Sequence, residues 1–163
     1  FEASRLAGVK RVVFGSSGST VLGYEREEGI KAMTEARWED VPLDTPCIDH
    51  TVPVRPQSLY GAVKVFGEAV GRYYSDEHGL SVICIRIGRV VKEDFPETAW
   101  HASCYLSHRD IIQMVEKCVH APESVRFETF YAVSDNRGRY RDIDHARKVV
   151  GYVPMDGIKD WPE

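Results

Sequence analysis

The chain has 163 residues, of which 43% are hydrophobic and 28% charged, and its formal net charge is −4. That composition can bury a core and excludes a disordered tail, while 25 acidic against 21 basic residues argue against a nucleic-acid binder. No apolar run approaches the roughly 20 residues of a membrane helix. Four cysteines (Cys47, Cys84, Cys104 and Cys118) lack CxxC spacing and paired histidines, so neither a metal site nor a disulfide framework is expected and a reducing cytoplasm fits.

In chain order, Phe1 to Ala7 reads as the last turns of a helix capped by Gly8. A helix entered midway, without an initiator Met, gives the expectation that the chain is part of a longer protein. Val9–Phe14 is β-branched and apolar, a buried strand. A small polar stretch, Gly15 to Thr20, follows. Residues 21–57 carry four prolines and read as a long loop, with a helical turn near Ile30–Arg37. Ser58 caps a helix that stops at Gly79. Leu80–Ile87 is a second strand and residues 88–106 are irregular. Ser107 or Asp110 opens an amphipathic helix, Phe127–Val133 is a third strand, and Asp142 or Asp144 opens a last helix ending at Gly151. Strands alternating with helices predict an α/β fold, part of a doubly wound parallel sheet, whose ligands bind beyond the carboxyl ends of the strands.

The densest chemistry is Pro53-Val-Arg-Pro-Gln-Ser58-Leu-Tyr60-Gly61-Ala-Val-Lys64. Tyr60 and Lys64 are four apart, on one face of a helix. A free phenol, with a pKa of about 10, is a poor base at neutral pH, but a nearby ammonium favours the phenolate. The pair therefore suits general-base work on a substrate hydroxyl. The plain alternative is an exposed helix face; the flanking prolines, the Ser58 cap and the Ser-rich strand end favour the functional reading.

Three blocks in order resemble the extended short-chain dehydrogenase/reductases, the NAD-dependent epimerase/dehydratases. They are Arg11-Val-Val-Phe-Gly-Ser16-Ser17-Gly-Ser-Thr-Val21-Leu-Gly23, the Pro53–Lys64 block, and Val82-Ile-Cys-Ile-Arg86-Ile-Gly88. The C-terminal part looks closest to the uronate-dehydrogenase-like branch. The resemblance implies a Rossmann-like core, with residues 1–87 as its catalytic half and 88–163 mostly a substrate-binding region within one partial domain. It implies NAD or NADP as cofactor and a sugar or sugar derivative as substrate. Tyr60 would move the hydroxyl proton, Lys64 would hold the nicotinamide ribose, Ser17 or Ser19 would hydrogen-bond the reacting oxygen, and Ser16 would lie at the cofactor. Trp100 and Arg89 are the candidates for lining the sugar pocket. A homodimer through the Tyr60 helix is implied too, with Gly61, Gly67 and Gly71 as small residues allowing close helix approach.

Four departures stand against the family pattern. The Gly-rich phosphate loop is absent, which at about 30 residues per βαβ unit corresponds to about 100 residues upstream; the isolated chain is then expected to be inactive and prone to self-association through a bare strand edge. The usual catalytic Ser/Thr position falls on Gly18, so Ser17, with Ser19 next, must supply the hydroxyl. Val63 replaces a serine, read as a packing change. Residues 93–106 hold no Arg or Lys where uronate dehydrogenases clamp a carboxylate, leaving Arg89 and Lys92 as cationic candidates and a neutral or differently held ligand as the expectation. The rival reading is a non-catalytic or truncated relative that binds a ligand without redox turnover.

Overall fold

Alternation of side chains along three short strands organises the molecule. A computed structural model describes residues 1–161. Strands β1 (Arg11–Ser17), β2 (Ser81–Ile87) and β3 (Phe127–Ala132) form a parallel sheet in that order. The register aligns Arg11 with Ser81 and Ser17 with Ile87, then Val82 with Phe127 and Ile87 with Ala132. Parallel strands are covered on both faces. Val12, Phe14, Val82, Cys84 and Phe127 point to one face, and Val13, Ile83, Ile85 and Phe130 to the other, in the two-residue period of a strand.

Helix α3 (Leu59–His78) covers the first face. Its start and stop are local: the Ser58 hydroxyl oxygen accepts from the Gly61 amide at 3.2 Å, and Gly79 takes φ +66°, a left-handed cap that glycine adopts without strain. Helices α5 (His108–Val119) and α6 (Asp144–Val150) cover the second face, burying Leu106, Met114, Cys118, Ile143 and Ala146. Ser107 caps α5 by accepting from the Asp110 amide at 3.1 Å. Asp142 receives the amides of Asp144 and His145, so it satisfies the start of α6. Residues from 88 onward therefore complete the sheet as well as the region above it.

Elsewhere the structure departs from the expected elements. β1 runs on to Ser17, three residues into the small polar stretch. The long loop folds over a second core of Val21, Ile30, Ile48, Tyr131 and Tyr140, and contains α2 (Glu28–Thr34). A short helix, α4 (Ala99–Cys104), capped by the Thr98 hydroxyl, lies in the stretch expected to be irregular. The glycines of α3 allow close approach within the chain itself: a Cβ at Gly61 would lie 2.5 Å from the Ser19 carbonyl oxygen, one at Gly67 would strike the Phe14 ring, and one at Gly71 would lie 2.9 Å from Val82. Val63 is 64% exposed, so its replacement of serine fills no space within the chain. No helix among the described residues is long and apolar enough to cross a membrane.

Candidate active site

A cleft of about 330 Å³ opens at the carboxyl ends of β1 and β2. Ser17, Gly18 and Ser19 line it from the turn after β1, Tyr60 from the first turn of α3, and Gly88 and Arg89 from the end of β2. Trp100 and Cys104 of α4 close one side, and Arg141 forms part of the wall. A larger cleft of about 670 Å³ lies at the opposite, amino ends of the strands. Its Arg11 is consumed by Ser81 and by five carbonyls of residues 118–125, so that cleft is a seam between elements rather than a reaction site.

The close approach at Gly61 is what delivers Tyr60 to this cleft. With no side chain at 61, the first turn of α3 rests directly on the Ser19 carbonyl, and the adjacent phenol stands beside the two serines. Tyr60 is 57% exposed. Lys64, one turn on, lies on the same face with its Nζ 5.5 Å from the Tyr60 ring centroid. Its ammonium donates to the Gly15 carbonyl oxygen at 2.6 Å, which ties the helix to β1 and leaves two further N–H groups. The Ser17 oxygen accepts from the Ser19 amide at 3.1 Å, a local turn that leaves its O–H free to donate. The structure thus brings Tyr60, Lys64, Ser17 and Ser19 to one end of the sheet, with Trp100 and Arg89 around them.

Ser16 is placed differently. Strand alternation turns it under α3, where its hydroxyl donates to Glu68 at 2.5 Å, so this side chain is spent in the core and does not face the cleft. Ser16, Arg86 and Tyr131 are direct register partners in one row across the sheet. Arg86 donates through Nε and Nη2 to the Glu68 carboxylate at 2.9 and 2.8 Å, and through Nη1 to the Tyr131 hydroxyl at 2.9 Å. Glu68 is 8% exposed and Arg86 3%. Burial works against the guanidinium charge, but the Glu68 carboxylate and the Tyr131 hydroxyl more than offset it, and the pKa of Arg86 is raised. This buried pair clamps α3 to the sheet one turn beyond Lys64.

Glu68 escaped sequence reasoning, although Tyr60, Lys64 and Glu68 fall at successive i, i+4 positions of one helix face. Arg141 escaped it altogether. Its guanidinium stacks on Tyr140, with 4.3 Å from Cζ to the ring centroid, and presses against Gly18. Glu25, on the turn after β1, accepts from Trp100 Nε1 at 3.0 Å and from the Tyr140 hydroxyl. All four cysteines are free thiols. Burial pushes the Cys84 and Cys118 thiols up to about 12, and also raises that of Cys104.

The profile of the NAD dependent epimerase/dehydratase family matches residues 1–103. The chain belongs to that family. An NAD-dependent glucose-6-phosphate dehydrogenase of Haloferax volcanii is 36% identical over 162 residues, covering 99% of this chain and 59% of that protein. A uronate dehydrogenase of Pseudomonas putida is 34% identical over 161 residues, covering 99% of this chain and 52% of its own length. Among solved structures, the uronate dehydrogenase of Agrobacterium tumefaciens superposes with a TM-score of 0.76 at 29% identity, over 96% of this chain and 50% of that one. This family member spans about half to three fifths of those relatives. Its α/β architecture with a parallel sheet is the Rossmann-like fold they share.

Proposed function

We propose that the chain carries the proton-transfer and sugar-binding half of an NAD(P)-dependent sugar oxidoreductase. The observation that carries this reading is that Tyr60 and Ser17 line one cleft at the carboxyl ends of β1 and β2, with the Lys64 Nζ 5.5 Å from the Tyr60 ring centroid, where parallel α/β sheets bind ligands. The names of relatives support a sugar dehydrogenase. The residues present fit the nicotinamide end of a dinucleotide, because a phenol stands at an open cleft with an ammonium that keeps spare N–H groups 5.5 Å from its ring. The pyrophosphate end finds no counterpart here: β1 runs into two short 3₁₀ turns, not the glycine turn and helix that bind it. A bound nicotinamide supplies the hydride acceptor. Ser17, with Ser19 beside it, donates a hydrogen bond to the sugar oxygen and holds it near Tyr60. Tyr60 takes the proton from that hydroxyl as the C–H bond breaks and its hydride passes to the nicotinamide, and Lys64 holds the ribose.

Tyr60→Phe in the full-length protein is expected to lower kcat with a sugar substrate by about 100-fold or more, the usual share of a positioned base. Unchanged turnover would remove Tyr60 from the mechanism, and retained sugar binding with no turnover in the unaltered protein would favour the non-catalytic reading. A dimer through α3 belongs to the same proposal. Leu59, Val63, Phe66 and Tyr73 form an exposed apolar stripe on that helix, and a Phe66→Glu protein that sediments like the unaltered one would argue against it. Four free thiols support a reducing compartment, the cytoplasm.

A further inference from the structure

Arg141 is 2% exposed, yet its Nε and Nη1 are buried with no hydrogen-bond partner among the described residues. A buried charged group with unmade hydrogen bonds is costly and calls for a reason. The nearest carboxylate, Glu25, has an oxygen 3.7 Å from Nη2, outside hydrogen-bond reach. Both Glu25 oxygens already accept elsewhere, one from Tyr140 and the other from Trp100. The guanidinium is held in place by the Tyr140 ring on one side and by Gly18 on the other, in the wall of the cleft that Tyr60 and Ser17 share. A Cβ at position 18 would lie 3.2 Å from Cζ and Nε, tight enough to displace them. The glycine that removes a hydroxyl from the usual catalytic position is thus the residue that makes room for this arginine.

We propose that Arg141 receives the oxyanion group, carboxylate or phosphate, of an acidic sugar bound in the cleft. The planar fork of a guanidinium matches both anions in a bidentate way. Stacked on Tyr140, it is pre-organised and loses little freedom on binding. The arginine comes from the segment between β3 and α6, far in sequence from residues 93–106, which hold no Arg or Lys. The inference rests on the oxidoreductase reading and deepens it by naming the substrate class.

The test uses the full-length protein with three probes: D-glucuronate for the carboxylate, D-glucose 6-phosphate for the phosphate and neutral D-glucose. Binding is measured by calorimetry without dinucleotide, and kcat/KM with NAD. One acid probe is expected to be preferred over D-glucose, and which one identifies the anion. Arg141→Gln should lower the acid-to-neutral ratio of kcat/KM about 10- to 100-fold, the worth of a charge-assisted hydrogen bond, with Arg141→Lys recovering part of it. Acid and neutral sugars used alike, before and after the substitution, would overturn the inference while leaving Tyr60 in place. Arg141-dependent acid binding without turnover would sustain it while the redox reading fails. Should Arg141→Gln not fold, Gly18→Ala takes its place: it pushes the guanidinium aside, so an unaltered acid-to-neutral ratio counts against the proposal and a lowered one for it.

Discussion

Replacing Glu68 by Gln keeps the side-chain shape and removes its charge. Arg86 would then be left as a buried cation with an amide in place of a carboxylate, since its Nε and Nη2 both point at Glu68 and its third donor is held by Tyr131. Breaking a buried pair by removing one partner costs about 3–5 kcal/mol, because the remaining charge stays uncompensated. For a chain of this size about 2–4 °C is lost per kcal/mol, so thermal unfolding followed by circular dichroism should fall by about 6–20 °C. In urea the midpoint should drop by more than about 1 M at the usual slopes. The double variant Glu68→Met with Arg86→Met should recover much of the loss, because apolar residues of similar volume often replace a buried pair at little cost. Two turns separate Glu68 from Tyr60, so the single variant should also lower kcat more than it raises KM. A Glu68→Gln protein within about 1 kcal/mol of the unaltered one would refute the argument that this pair clamps α3 to the sheet.

Gly61→Ala should destabilise by about 1–3 kcal/mol through overpacking against the Ser19 carbonyl, opposite in sign to the usual gain for alanine in a helix; a higher Tm would show that the close approach is not real. Ser17→Ala is expected to lower kcat more than Ser19→Ala does, because the Ser17 hydroxyl also braces the turn by accepting from the Ser19 amide, and the reverse ranking in steady-state kinetics would move the donor to Ser19. Iodoacetamide near neutral pH should label the exposed Cys47 in the native protein and reach Cys84, Cys104 and Cys118 only in denaturant, since these three are buried out of the reagent's reach. Mass spectrometry of the labelled peptides reads this directly, and native labelling of Cys84 or Cys118 would mean the core opens far more readily than its packing allows.

Local signals in the chain determined the elements that depend on neighbours in sequence. Ser58 and Ser107 could be read as caps, Gly79 and Gly151 as stops, and the β-branched runs as strands, because a cap or a buried strand is specified within a few residues. The same locality let Tyr60 and Lys64 be paired from their spacing on one helix. Helix α4 was hidden because six residues, Ala99–Cys104, are too few to show a helical period. The glycines of α3 signalled a close approach, but that they meet Ser19, Phe14 and Val82 could not be read locally, because those contacts exist only once the helix lies on the sheet.

What tertiary structure alone decided is which distant side chains share a row or a wall. Ser16, Arg86 and Tyr131 come from three strands and become one row through parallel register, with Glu68 laid over them by α3. Arg141, 123 residues beyond Gly18 in the chain, presses against it with two donors unmet. Nothing in local propensity encodes such meetings, because they depend on burial and register set by the whole sheet rather than on the residues nearby.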